Sequence, residues 1–292
     1  MNLIVETDIG HDPDDFFALC YLVSAGVNIR GIMISPGDPD QIAIARFFCK
    51  EVGLDIPIGA SKLDRIKLSS GSIHHNLLKK YGHSLTSSPD GLGIDLLPSI
   101  FNDYPDSELF VIGPVSSLGK HLAAHPEQII KRATMQGGFV GYHLYDPQVK
   151  LPQFEGKSWV PTFNMNGDRP GTLAFTGAKI AERHFVGKNV CHTILYNKEH
   201  FGKMSKPNCR AAELFMEGMG LYLEKHEDKK FHAPTAAVCH LHEEIGVWLA
   251  GKVRKIEQGW GTICEVEPKD NTDWVLADVD RELLWDHIYN WN

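Results

Sequence analysis

Four aspartates lie close together near the start of the chain: Asp8, Asp12, Asp14 and Asp15. Carboxylates packed this closely repel, so a folded chain must raise some of their pKa values or neutralise them with a cation. A hard divalent ion with oxygen ligands is the simplest neutraliser. Ordinary helix capping, with Asp12 or Asp14 as N-cap and acids favoured in the first turn, accounts for one or two of these residues but not for four. The elements that must hold them can be read on either side. Leu3-Ile4-Val5-Glu6-Thr7 reads as a buried parallel strand, Phe16 to Leu22 as a helix, and Gly10 as part of the tight turn between them. Open α/β sheets bind their ligands at the carboxyl ends of strands, so a metal or substrate site is expected here.

The rest of the chain repeats strand, polar or glycine turn, then helix. Residues 28–35 read as a second strand ending at Pro36-Gly37-Asp38-Pro39-Asp40, followed by a helix from about Gln41 to Val52. Short strands are expected at Ile56 to Gly59 and Glu108 to Ile112, the latter leading through Gly113-Pro114 into a helix that starts near Ser116. Arg132 to Gln136, His184 to Val190 and Thr193 to Tyr196 add further strands. The alternation predicts an α/β fold with a mainly parallel central sheet flanked by helices. The polar stretch from about Gly138 to Trp159 is long enough to be a functional loop.

Composition excludes several classes. The 292 residues carry a formal charge of −8, which argues against binding a nucleic-acid backbone. No apolar run is long enough to span a bilayer, and the chain opens directly on a strand, so neither a membrane span nor a signal peptide is expected. Six cysteines are scattered without a CxxC pair, several in apolar runs, which predicts buried free thiols and a cytoplasmic location.

Further punctuated segments join the acidic turn: Pro89-Asp90-Gly91-Leu92-Gly93, Val111-Ile112-Gly113-Pro114, Phe163-Asn164-Met165-Asn166-Gly167-Asp168 and Phe231-His232-Ala233-Pro234. Taken in order over nearly the whole chain, they resemble the inosine-uridine-preferring nucleoside hydrolase family. The resemblance implies one nucleoside-hydrolase-like domain over residues 1–292 holding one Ca²⁺ at the carboxyl end of its sheet. It also implies hydrolysis of the N-glycosidic bond of a small ribonucleoside to ribose and free base, a place in nucleoside salvage, and a homodimer or homotetramer. By the same resemblance Asp8, Asp15 and the Ile112 carbonyl are the calcium ligands, and Asp8 also takes a proton from the attacking water. Asp12 or Asp14 grips the ribose diol, Asn164 hydrogen-bonds the ribose, and Asp38 stands where a shorter turn contributes an asparagine. His232 lies near the leaving base and is the candidate for assisting its departure.

Two departures from the family pattern stand out. His232-Ala233-Pro234 replaces His-Asp-Pro, whose aspartate is a calcium ligand, and Thr162-Phe163-Asn164 replaces Glu-Phe-Asn. Either Asp12 and Asp14 compensate for Ala233, or the chain is a weakened homologue that binds nucleoside or ribose, or Ala233 is an engineered change that disables catalysis. The last is preferred because the surrounding residues fit the motif. The divergent turn and loop imply a modified or bulky base, with Tyr142, His143, Tyr145 and Trp159 available to stack on it. An aspartate-nucleophile phosphatase is the rival enzyme class, but Glu6-Thr7-Asp8 lacks its Asp-Xaa-Asp. His74-His75 and His240-Xaa-His242 are expected on the surface, the tryptophans in the core, and Lys225, Lys229 and Lys230, interleaved with acids, on a solvated turn.

Overall fold

A computed structural model of the chain describes residues 1–264 and 273–290. Its strands are β1 (Asn2–Thr7), β2 (Asn28–Ile34), β3 (Ile58–Ala60), β4 (Gly91–Leu92), β5 (Glu108–Val111), β6 (Ile129–Gln136), β7 (Lys179–Val186), β8 (Leu195–Asn197), β9 (Asp228–Lys230), β10 (Gly246–Ile256), β11 (Gly259–Cys264) and β12 (Asp273–Val279). All but β8 and β9 form one sheet, in the order β11-β10-β12-β7-β6-β5-β1-β2-β3-β4. Within it only β10 runs against the others, pairing antiparallel with both β11 and β12. The sheet is therefore mainly parallel, as the alternating sequence predicts.

The helices are α1 (Pro13–Ser24), α2 (Pro39–Val52), α3 (Ser72–Lys80), α4 (Gly93–Asp103), α5 (Ser117–Ala124), α6 (Phe163–Gly167), α7 (Arg169–Gly177), α8 (Lys188–Cys191), α9 (Lys198–Lys203), α10 (Arg210–Leu223), α11 (His232–Leu241) and α12 (Arg281–Tyr289). They cover both faces. Along β1 the period-two alternation sends Leu3 and Val5 into one core, with α1, α2, α3, α10, α11 and α12, and Ile4 into the other, with α4, α5 and α7. Phe16, Phe17, Leu19 and Leu22 of α1 are all fully buried, each worth roughly 1.5–3 kcal/mol against exposure. That burial anchors the helix whose first turn carries Asp14 and Asp15.

Several expectations need correction. The strand expected over His184–Val190 ends at Val186, and α8 starts at Lys188. The reason is Asn189, buried there, whose amide donates to the carbonyls of Leu276 and Ala277 at 2.8 and 3.2 Å and so turns the chain toward β12. The strand expected at Thr193–Tyr196 is β8, which leaves the main sheet and pairs antiparallel with β9. His74 and His240, expected on the surface, are buried. Of the tryptophans, Trp260 is fully buried, Trp248, Trp274 and Trp285 are half-buried, and Trp291 lies outside the described residues. All six cysteines are unbonded, and four of them are buried. No described helix is long and apolar enough to cross a membrane.

Candidate active site

Adjacent strand ends make the floor. β1 pairs on one side with β2 and on the other with β5, so Asp8 and Ile112 leave the sheet side by side. The Ile112 and Gly113 amides both donate to the Glu6 carbonyl, at 2.8 and 3.2 Å. Gly113 is required for this approach, because a Cβ there would sit 2.4 Å from the Asp8 nitrogen. The Glu6 side chain, fully buried, accepts from the amides of Ser116, Ser117 and Leu118 at 2.6–2.9 Å and fastens the start of α5 to β1. Burial pushes its carboxyl up to about 7, against the pull of those three donors. Gly10, at φ +105°, makes the turn that carries the chain from Asp8 up to α1.

The wall is α1. Asp12 is its N-cap, with a side-chain oxygen 3.4 Å from the Asp14 amide, and Asp14 and Asp15 occupy the first turn. Capping therefore accounts for Asp12, and Asp15 and Asp14 have separate partners. The Thr7 hydroxyl donates to Asp15 Oδ2 at 2.5 Å. The Ala233 amide, opening α11, donates to Asp14 Oδ2 at 3.1 Å, and His232 Nδ1 stands 3.7 Å from the same oxygen. Asn164, on α6, donates from Nδ2 to the Ile112 carbonyl at 2.8 Å and to Gln136 Oε1, at the end of β6, at 2.7 Å.

Asp8, Asp12, Asp14, Asp15, Ile112 and Asn164 thus line one cavity of about 270 Å³, together with His232 and Ala233. Its lining also includes His11, Gln136, Thr162, Phe163, Lys188 and His192. The volume falls just under the roughly 300–1,000 Å³ of drug-sized ligand sites, which suits a single small molecule rather than a polymer.

Electrostatics separates the two sides of this cavity. On the acidic side, burial first and then Asp14 and Asp12 push the Asp8 carboxyl up to about 7. Burial, Asp8 and Asp14 raise Asp15 well above the usual carboxylate range, opposed by the Thr7 hydroxyl. One ammonium answers them. Lys229 Nζ lies 2.9 Å from Asp12 and 3.7 Å from Asp14, and their charges raise its pKa although burial works the other way. Beside Asp14, burial and then Lys229 lower His232 to about 4. Burial and then His232 lower His192 to about 3, the two rings being 5.0 Å apart.

Lys229 corrects the expectation of a solvated lysine turn: its side chain is only 5% exposed. Sequence gave no sign of it, because its partner Asp12 lies 217 residues away. Gln136, Lys188 and His192 also reach the lining, and the Gly187-Lys188 break in the strand pattern is the sequence signal for the last two. Asp38 is not brought to the cavity lining. It is the N-cap of α2, followed by Pro39, and pairs with Arg65 at 2.6 Å, so local capping governs it. Tyr142, His143, Tyr145 and Trp159 also lie outside the lining; the Tyr142 hydroxyl accepts from the Leu151 amide at 2.8 Å, inside its own loop. The Asp90 carboxylate accepts from Arg46 and from the Ile58 amide, and Asp90 does not line the cavity. Among the described residues, the three metal-ligating side chains whose ligand atoms lie within 4.8 Å of one another are His242, Glu244 and His287, none of which lines this cavity.

No family profile and no curated protein sequence matches the chain. Solved structures do. A plant nucleoside hydrolase aligns over 99% of this chain and 98% of its own, with 18% identity and a TM-score of 0.70. An inosine-uridine-preferring nucleoside hydrolase from Bacillus anthracis aligns over 98% and 97%, with 14% identity and a TM-score of 0.70. An inosine-guanosine nucleoside hydrolase aligns over 99% and 98%, with 14% identity and a TM-score of 0.71. With likeness over essentially the full length of both partners in each pair, the chain has the nucleoside hydrolase fold.

Proposed function

We propose that this chain is a single-domain, calcium-dependent N-ribosyl hydrolase that cleaves a ribonucleoside into ribose and free base. The observation that carries the reading is the gathering of four aspartates, the Ile112 carbonyl and Asn164 at the carboxyl ends of parallel strands, around one cavity with a single buried ammonium among the acids. Burial and mutual repulsion raise the pKa values of Asp8 and Asp15, whereas a divalent ion beside them would favour their ionised forms.

The residues fit calcium by the chemistry of their donors. Asp8, Asp15 and the Ile112 carbonyl are hard oxygens, and the carbonyl keeps a second lone pair beside the Asn164 amide. No three of the four aspartates bring oxygens within 4.8 Å of one another, and on this reading Asp8, Asp15 and the Ile112 carbonyl are the protein's share. Calcium's high and flexible coordination leaves room for water and sugar hydroxyls. When bound, it supplies positive charge that acidifies water and grips a vicinal diol.

Asp8, at the floor, accepts the proton of the water that attacks C1′. Asp14, held by the Ala233 amide, and Asp12, held by Lys229, orient the ribose hydroxyls, and Asn164 fixes the sugar from the opposite wall. Positive charge then develops on the ring as the glycosidic bond opens, facing these carboxylates. His232 is neutral near pH 7, so it helps the departing base through a ring N–H. Its Nε2 is buried without a hydrogen bond and is free to make one.

Ala233 favours a second reading, a nucleoside-binding homologue with little turnover, because this position supplies no side-chain oxygen. One experiment separates the two: free-base and reducing-sugar release from a ribonucleoside panel, with calcium and after chelation, beside calorimetric binding. Calcium-dependent release supports the hydrolase. Binding without release supports the binding homologue, and neither binding nor release overturns both.

A further inference from the structure

Another part of the cavity lining has a different chemistry. Lys188, at the start of α8, lines the cavity and donates from Nζ to the Pro161 carbonyl at 2.7 Å. Among the described residues no carboxylate lies within ion-pairing distance of it, in contrast to Lys229, which Asp12 and Asp14 answer. Next to Pro161, Thr162 also lines the cavity. It is 3% exposed, and its hydroxyl has no hydrogen-bond partner. His192, one turn beyond Lys188, adds a buried Nδ1 without a partner. An ammonium without a counter-ion and an orphaned buried hydroxyl, set beside each other in one cavity, are costly unless a ligand satisfies both.

We propose that Lys188, Thr162 and His192 form an anion-binding wall, so that the substrate is a nucleoside carrying a negative charge. This rests on the reading that the cavity takes a ribonucleoside. Two sources supply the charge: a phosphate on the 5′-hydroxyl, or an acidic group on the base. Both meet the same donors, a half-buried ammonium, a hydroxyl and an imidazole N–H, which together suit a multi-oxygen anion. Burial, and next the Lys230 charge, lower the Lys188 pKa, and an anion against the ammonium reverses that destabilisation. Lys229 pairs with Asp12 and Asp14 and so offsets part of their repulsion of such a ligand. Thr162, where the resembling motif has glutamate, removes the one carboxylate that would repel an anion at this wall.

The test uses the full chain with calcium and three ligands: uridine, uridine 5′-monophosphate and orotidine, which is uridine bearing a carboxylate on the base. Binding is measured by calorimetry and base release by chromatography, for the parent, Lys188→Met, Lys188→Arg and Thr162→Val. At least one charged ligand is expected to outbind uridine by about tenfold or more, and Lys188→Met is expected to erase that preference while Lys188→Arg retains it. Preference for the monophosphate assigns the wall to a 5′-phosphate, and preference for orotidine assigns it to the base. Charged ligands that bind through Lys188 yet are not cleaved leave the wall standing and overturn the hydrolase reading. Uridine bound and cleaved as well as both charged ligands, or binding of none of the three, overturns the wall.

Discussion

Replacing Lys229 with methionine removes the ammonium from the acid cluster while keeping most of its stem. Nζ lies 2.9 Å from Asp12 and 3.7 Å from Asp14; the Lys229 and Asp14 side chains are 5% and 6% exposed, and that of Asp12 is 49% exposed. Breaking a fully buried ion pair costs about 3–5 kcal/mol, because the surviving charge is stranded. Water screens the Asp12 half of this interaction, so about 2–3 kcal/mol is the expected loss. For a chain of 292 residues that corresponds to a fall in Tm of about 3–5 °C. Scanning calorimetry in a chelator measures the loss directly. The same scan in excess calcium should recover a larger part of it in Lys229→Met than in the parent, since the variant's acids repel more strongly; a hundredfold excess over Kd adds about 2.7 kcal/mol. A chelated Lys229→Met protein melting within about 1 °C of the parent refutes the ion-pair account, since the acids would then be neutral without the lysine. Equal calcium shifts in the two proteins refute a shared cation site.

Ala233→Asp restores a side-chain oxygen at the start of α11, beside Asp14. Base release should rise by about two orders of magnitude or more, with Tm nearly unchanged, if this is the one missing ligand; unchanged kcat shows that Asp12 and Asp14 already compensate. His232→Ala should slow a natural nucleoside more than 4-nitrophenyl riboside, whose leaving group needs no help, and equal losses remove the residue from leaving-base assistance. Acid should unfold the protein partly through His74 and His240, buried and held near 4 and 3 against an unfolded value of 6.5. The unfolded chain takes up protons from pH 6.5 downward that the folded chain refuses, so each histidine removes about 1.4 kcal/mol per pH unit between 6.5 and about 4 and nothing above 7. Asp8 and Asp15, raised in the fold, act in the opposite sense, so the observable is the difference between the parent and His74→Phe in urea unfolding at pH 7.5, 6 and 5. A parallel pH dependence in the two proteins contradicts the assignment.

What could be read from the sequence followed from how local its causes are. The strand from Leu3, the Gly10 turn and the acids of α1 are contiguous, so residue type and spacing alone placed Asp8, Asp14 and Asp15 at one strand end. Ile112 and Asn164 followed from strand ends and a resembling motif, and both reached the cavity. Lys229 could not be read, because its partners are distant in sequence and its neighbours Glu227 and Asp228 are charged like a solvated turn. Lys188 and His192 were hidden by a strand pattern that continues in the side chains after Gly187 but not in the backbone, where Asn189 binds to β12. The expectation for Asp38 came from resemblance alone, and the capping preference of Asp before Pro overrode it. β10 and β11 went unread because an edge ribbon with exposed Val247 and Ile263 lacks the apolar run of a central strand, and the buried β12, with its run from Trp274 to Ala277, was legible but was not read.

On the proposed cation reading, Gly113 bears on which ion the cavity would accept. With a Cβ at 113 excluded by the Asp8 backbone, and with β1 and β5 hydrogen-bonded up to that point, Asp8 and the Ile112 carbonyl form a fixed jaw. Asp15 would be the other jaw, and because the buried Phe16, Phe17, Leu19 and Leu22 anchor α1, the freedom left to it is that of its own side chain. Adjustment to ionic radius would therefore fall on the Asp15 carboxylate, against its hydrogen bond from the Thr7 hydroxyl. On the proposed calcium reading, the tolerance of the cavity for ions of other sizes would then be set by a hydroxyl that touches neither metal nor sugar.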